Sequence, residues 1–449
     1  MYRDEKNRMN QKAEKRYLFL RFSGGCRELL SRPVKVIILA VYFAGIYLLW
    51  LNRNFLFYPD ESDFLFGLLD SFLPILFLLY TIMGFVAIVI LCGTPYGYKS
   101  SKENLRRIGL VNHAGETPIL VAKRKDEKYP RVSVWEYESV GISLIDWEEK
   151  RNRVEAALNV NIIKMMWGKN KWRIQLYTVP AETELEEMIW WDDRFLLEDD
   201  FTLVLGESLI GCVEVNLAKI PHILLGGSTG SGKSILLKLL IMQSVKKGAE
   251  VYIADFKGGV DFPAIWHEKC HMVFDRKDLL ALLAGLVDEL ERRKIIFREL
   301  GYSNLKEYNS SESANLKRII FACDEVAEVL DKTGLQKEDR DLVIQIESRL
   351  SVIARQGRAF GIHLIVATQR PDATILAGQI RNNIDCRVCG RADHILSQII
   401  LDNTSASEQI PKDTAGRFIT GNGVVFQGFL FDEKQIFYTK RGGDNWKKT

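Results

Sequence analysis

The sequence predicts an α/β fold: a parallel sheet covered on both faces by helices, a smaller α/β module before it, and two membrane-spanning helices at the start. Three observations predict it. From Phe201 onward, short apolar runs alternate with longer helical patterns. A glycine-rich loop stands between one such run and the helix that follows it. Two long uncharged apolar runs lie within the first 92 residues. The expected plan is a basic cytoplasmic segment (1–33), two membrane helices joined by a short acidic extracellular loop (34–92), a small α/β domain (100–195) and the large α/β domain (200–440).

Composition sets the outer bounds. The chain has 449 residues, 47% hydrophobic and 27% charged, which excludes wholesale disorder and allows two to four folded units. Seven cysteines in this length do not make a disulfide framework and read as reduced thiols. The net charge of +3 is unevenly spread: residues 108–449 hold 46 basic and 49 acidic side chains, so the basic excess flanks the apolar runs. The soluble body is no general polyanion binder, and any nucleic acid must meet a local patch or a ring-shaped assembly.

Val36–Leu51 and Phe72–Cys92 carry no charge. About 20 such residues span a hydrocarbon core, so the second run qualifies outright and the first does so if Lys35 snorkels and Trp50 sits at the interface. The loop between them holds Asp60, Glu61, Asp63 and Asp70 against Arg53, while Arg21, Arg27, Arg32, Lys35, Lys99, Lys102, Arg106 and Arg107 flank the pair. Positive residues favour the cytoplasmic side, which places both termini inside a multi-pass cell-membrane protein.

After the membrane, ILVAK, RVSVWEY and WRIQLYTV read as strands, and Asp146–Leu158 as one amphipathic helix. An acidic linker follows. In the large domain the expected strands are His222–Leu225, Val251–Ala254, His271–Phe274, Ile319–Cys323 and Ile362–Ala367. The expected helices lie near Lys233–Lys247, Lys277–Leu300 and Asp339–Phe360.

The chemistry concentrates in three strings. Gly227-Ser228-Thr229-Gly230-Ser231-Gly232-Lys233-Ser234 matches G-x-x-x-x-G-K-S, between the apolar HILL and the helical SILLKLLIMQ. Glycines let backbone N–H groups face phosphate oxygens, Lys233 reaches the β- and γ-phosphates of ATP, and Ser234 ligates Mg²⁺. Ile319–Cys323 ends in Asp324-Glu325, which supplies a metal carboxylate (Asp324) and a general base for water (Glu325). Ile362–Ala367 runs into Thr368-Gln369-Arg370-Pro371, where Gln369 reads either as a contact to the γ-phosphate or water, or as a solvated strand end. Cys386-x-x-Cys389 lies on a strand pattern, so its thiols face opposite ways and do not read as a zinc pair; the His267, Cys270, His271 cluster reads as packing.

Phe201–Ser234, Glu289–Asn309 and Arg358–Pro371, with Gln379–Ile384 after it, together resemble the motor domain of FtsK/SpoIIIE-type DNA translocases over about residues 200–430. The resemblance implies a RecA-like P-loop ATPase that forms a homo-hexameric ring and threads DNA through its pore. It implies Asp324 and Glu325 as Walker B and Gln369 as nucleotide sensor. A neighbouring subunit's arginine would reach the γ-phosphate, with Arg355, Arg358, Arg381 and Arg387 as candidates, and Lys257, Lys332 or Lys337 would line the pore. Two spans, no long linker and no DNA-reading domain after the motor further resemble the membrane-anchored coupling proteins of Gram-positive conjugative elements. The expected partners are then DNA, membrane lipid, a relaxase and conjugation channel proteins. Chromosome segregation, protein export and a non-hydrolysing membrane scaffold stay open as alternatives.

Overall fold

The computed structural model describes residues 17–30, 33–52, 64–127, 129–311, 315–369, 378–439 and 447–448. The basic stretch 1–16, the acidic loop residues Asp60, Glu61 and Asp63, the Arg370-Pro371 pair and most of the polar tail after Thr439 lie outside these. The chain divides into two compact units, Met1–Thr183 and Glu184–Thr449.

In the first unit, helices α1 (Pro33–Leu51) and α2 (Phe64–Cys92) carry the apolar runs. Both are long and apolar enough to cross a membrane, with mean hydropathies of 2.2 and 2.8 over Val34–Leu51 and Phe72–Cys92. Their large side chains are mostly exposed, as lipid-facing side chains are and those of a soluble core helix are not. The pair meets at several points, among them Trp50 and Phe77 with ring centroids 5.3 Å apart. Tyr42 donates to the Tyr80 and Thr81 carbonyls, and a Cβ on Gly84 would fall 2.0 Å from its hydroxyl. Lys35 turns to the end of the bundle, donating to Glu28 at 2.7 Å and to the Cys92 carbonyl at 3.3 Å.

The rest of this unit is a four-stranded antiparallel sheet, order β1-β2-β4-β3, built from β1 (Ile119–Lys125), β2 (Ser133–Glu138), β3 (Val160–Trp167) and β4 (Arg173–Pro180). Its core centres on Tyr137 and Trp147, whose rings lie 5.1 Å apart. Two features differ from the sequence reading. The expected helix over Asp146–Leu158 is two helices, α4 (Leu144–Glu149) and α5 (Arg151–Leu158), because Lys150 leaves helical geometry (ψ 12°). α4 starts earlier than expected because Ser143 and Asp146 form a capping box. Strand β3 was not foreseen although Val160, Ile162 and Ile163 favour a strand, because Asn159 at φ 53° turns α5 into it without a glycine or proline signal. Between α2 and β1 lies α3 (Tyr98–Arg107).

The second unit has a separate two-stranded ribbon of Tyr438–Thr439 and Lys447–Lys448 and is built on an eleven-stranded sheet. Its strands are β5 (Ile189–Trp190), β6 (Thr202–Ser208), β7 (Gly211–Asn216), β8 (Ile223–Gly226), β9 (Glu250–Ala254), β10 (His271–Val273), β11 (Ile319–Cys323), β12 (Ile362–Thr368), β13 (Cys386–Cys389), β14 (Arg417–Thr420) and β15 (Val425–Leu430). The expected parallel half runs β10-β9-β11-β12-β8-β13. It continues as an antiparallel half, β13-β14-β15-β6-β7, with β5 beside β15, so the sheet is mixed rather than parallel throughout.

Every residue of β8, β11 and β12 is buried, which is why these strands read as continuous apolar runs. Alternate residues feed two cores. Leu224, Phe321 and Leu364 join the core under α7 (Arg276–Leu300) and α9 (Lys337–Phe360), which α8 (Leu305–Ser311) separates in sequence, while Ile223, Ile320 and Ile365 join that under α6 (Lys233–Lys246). Cys386 and Cys389 pack into opposite cores, as strand spacing requires. His267 bonds within its own loop to Phe262 O, whereas His271 opens β10 at the sheet edge and is exposed.

The acidic stretch after Thr183, read as a linker, is instead part of this unit. Trp191 is buried beside Phe429, and Asp193 forms a buried ion pair with Lys246 of α6 at 2.8 and 2.9 Å while accepting from the Trp191 indole. An acid-rich composition hid a structural carboxylate that is satisfied on every side.

Trp147→Ala in the first unit removes a fully buried ring that donates to Ser139 at 2.9 Å. We expect it to cost about 3–5 kcal/mol, read as a shift of the thermal unfolding transition of the solubilised chain.

Candidate nucleotide site

The parallel half explains where the site is. Parallel strands bring their carboxyl ends to one edge, and β8, β9, β11 and β12 deliver there the P-loop, Asp255, Asp324-Glu325 and Thr368-Gln369. A cleft of about 650 Å³ opens at this edge, a size usual for a ligand site. Ser228–Leu236 line it together with Lys257, Asp261, Gln369 and Asp413–Gly416.

The P-loop takes its shape from glycine where a side chain would not fit. Gly232 has φ +93°, and a Cβ there would lie 3.0 Å from the Gly416 backbone; one on Gly227 would lie 2.4 Å from Ser231 Oγ. Other strands brace the loop. Ser228 donates from its N–H and hydroxyl to the Arg391 carbonyl, and Gly416 N–H donates to the Ser231 carbonyl at 2.9 Å. The Arg391 guanidinium returns to the Thr229 carbonyl at 2.7 Å and also reaches Lys412. Ser231 Oγ is buried with no partner among the described residues, inside the cradle where an anion would sit.

Lys233 and Asp324 are 4% and 2% exposed. Lys233 Nζ donates to the Asp324 carbonyl at 2.7 Å and to its Oδ1 at 3.0 Å; Ser234 Oγ donates to the same Oδ1 at 2.9 Å. Lys257 Nζ reaches Oδ2 at 2.8 Å. Burial alone pushes the Asp324 carboxyl up, but Lys233 and Lys257 outweigh it and hold the group down at about 2. The carboxylate is ionised under all ordinary conditions. An ionised carboxylate beside a serine hydroxyl at a helix N-terminus is an all-oxygen donor set suited to a small hard cation.

Glu325 is committed differently. Its Oε1 accepts from Thr368 Oγ1 at 2.8 Å and its Oε2 from the Gln369 N–H at 2.9 Å. Gln369 Oε1 in turn accepts from Thr229 Oγ1 at 2.9 Å. Gln369 therefore joins the P-loop to the Glu325 carboxylate, and a phosphate that displaces Thr229 would disturb both ends.

The structure brings Gly227 to Ser234, Asp324, Glu325 and Gln369 to one edge of the sheet. It places the others as follows. Lys257, read as a pore residue, lies in the cleft on Asp324. Lys332 pairs with Glu347, and Lys337 opens α9. Arg387 is tied to Asp402 and to the Ile384 and Arg381 carbonyls. Arg381 Nε is buried with no partner among the described residues, and Arg355 and Arg358 are exposed on α9. Sequence reading missed Arg391, Asp261 and Asp413–Gly416. Arg391 had only a weak signal: Gly390-Arg391 directly follows the short strand-like Cys386–Cys389.

The FtsK/SpoIIIE family model matches residues 185–346. The solved structure of the pCW3 conjugation coupling protein TcpA, a monomer form with ATPγS, is 34% identical; the match covers 76% of this chain and 97% of that one, with a TM-score of 0.57. The chain belongs to the FtsK/SpoIIIE family. Among FtsK/SpoIIIE relatives, the DNA translocase FtsK of Helicobacter pylori strain J99 is 30% identical over 220 residues, 46% of this chain and 25% of its own. The DNA translocase SftA of Bacillus subtilis strain 168 is 28% identical over 300 residues, 63% of this chain and 30% of its own. The chain thus spans less than a third of the length of these curated FtsK/SpoIIIE relatives.

The depressed Asp324 carboxyl makes an acid prediction. A folded value below the ordinary Asp value contributes stability that is fully present above about pH 4 and is lost as pH falls through about 2. Denaturant unfolding between pH 5 and 2 should therefore show a shallower acid loss for Asp324→Asn than for the wild type.

Proposed function

We propose that this chain is a membrane-anchored, ATP-driven DNA translocase that serves as the coupling protein of a conjugative transfer system. The observation that carries the reading is the constellation of Lys233, Ser234, Asp324 and Glu325 at one sheet edge, in a chain whose match to the solved chain of a conjugation coupling protein is 34% identical and covers 97% of that solved chain. The P-loop N–H groups and Lys233 would hold the ATP phosphates. Ser234 and Asp324 would hold Mg²⁺, which supplies charge neutralisation at the phosphates. Glu325 would accept the proton of the attacking water once Thr368 and Gln369 release it.

From the likeness to a conjugation coupling protein and to FtsK-type DNA translocases we infer a homo-hexameric ring, in which a neighbouring subunit's arginine would reach the γ-phosphate. Arg355 and Arg358 are exposed on α9, which suits them to reach a neighbour's nucleotide better than Arg387, already tied to Asp402. DNA would pass through the ring and be handed, with its relaxase, to channel proteins at the membrane. α1 and α2 would anchor the ring in lipid with both termini in the cytoplasm, following the basic flanks.

A mating assay tests this. Lys233→Ala and Glu325→Gln should each lower DNA transfer by roughly 100-fold or more while leaving membrane insertion intact. Transfer at wild-type frequency by the inserted Lys233→Ala protein would refute the motor role.

A further inference from the structure

Lys257 does something that neither the P-loop nor the acidic pair accounts for. Asp324 has two carboxylate oxygens. Oδ1 is occupied by Lys233 and Ser234, and Oδ2 by Lys257 at 2.8 Å. Lys257 also donates to Asp261 at 2.7 Å, so two ammonium groups and two carboxylates balance at the position where a metal carboxylate is expected. A Mg²⁺ ion binds oxygens at about 2.0–2.1 Å and keeps several waters. An ammonium lying 2.8 Å from Oδ2 occupies the volume of that water shell and repels the arriving dication.

The loop around Lys257 is built to let the side chain leave. It is pinned at both ends: Asp255 is buried and its N–H donates to the Val273 carbonyl at 2.9 Å, and Phe262 is buried. Between the pins, Gly258 and Gly259 have φ +74° and +82°. Val260 is exposed, so its side chain does not anchor the middle of the loop. The Lys257 side chain itself is 31% exposed and has a path into the cleft.

We infer that Lys257 is the resident counter-cation of Asp324 in the nucleotide-free subunit, and that arrival of a Mg²⁺–nucleotide complex displaces it. This rests on the nucleotide reading above. Lys257 then acts as a positioning residue: it holds Asp324 through Oδ2 and sets how strongly nucleotide binding depends on metal.

The test is calorimetry of ATPγS binding to the detergent-solubilised full chain, in Mg²⁺ and in EDTA. Lys257→Met should raise the ratio of Mg²⁺ to EDTA affinity by about tenfold, because the competing cation is gone. An unchanged or lowered ratio would overturn the inference. A second measurement needs no substitution. The reactivity of Lys257 toward an amine-modifying ester, read by mass spectrometry, should rise severalfold with Mg²⁺–ATPγS and not with ATPγS in EDTA. Unchanged or greater protection with Mg²⁺–ATPγS would overturn it as well. No ATPγS binding by either protein in any buffer would instead overturn the nucleotide reading on which the inference stands.

Discussion

The second unit is organised around one carboxylate. Asp324 sits at the tip of β11, buried, with Lys233 and Ser234 on one oxygen and Lys257 on the other. Leaving any of these charges buried without the others would cost several kcal/mol. This position therefore constrains the whole parallel half. β8 and β11 must both end at this edge, β12 must lie between them, and the P-loop must turn back over the gap. The fully buried strands and the cores on both faces of the sheet fix those ends.

The antiparallel half adds what a parallel sheet alone lacks. Its loops reach the P-loop from outside, through Arg391 and Gly416. The segment after Thr183 locks onto α6 through Asp193 and Lys246. The helix that begins at the P-loop is thus held at its N-terminus by the nucleotide edge and near its C-terminus by a buried ion pair. A nucleotide at one end has a stiff lever to act on.

Much of this was legible. The strands of the parallel half are nearly all apolar, and the P-loop and Asp324-Glu325 follow such runs directly, so pattern and motif agreed. What escaped reading shares one physical cause: its signal lay in tertiary partners. Asp193 looked like linker acid until Lys246 was beside it. Lys257 looked like a free loop cation until Asp324 was beside it. β3 follows α5 with only Asn159 between them, and Lys150 gave no sign that it would break a helix. β15 pairs with β6 across a sequence separation that no local period encodes.

The most direct test of the account is ATP hydrolysis by the solubilised full chain with no DNA, single-stranded DNA or double-stranded DNA, beside the Glu325→Gln variant. The account predicts turnover that DNA stimulates and that vanishes in the variant. Steady turnover indifferent to either DNA would contradict a DNA motor and point to another cargo, and absence of turnover at ring-forming concentrations would leave only a nucleotide-binding scaffold.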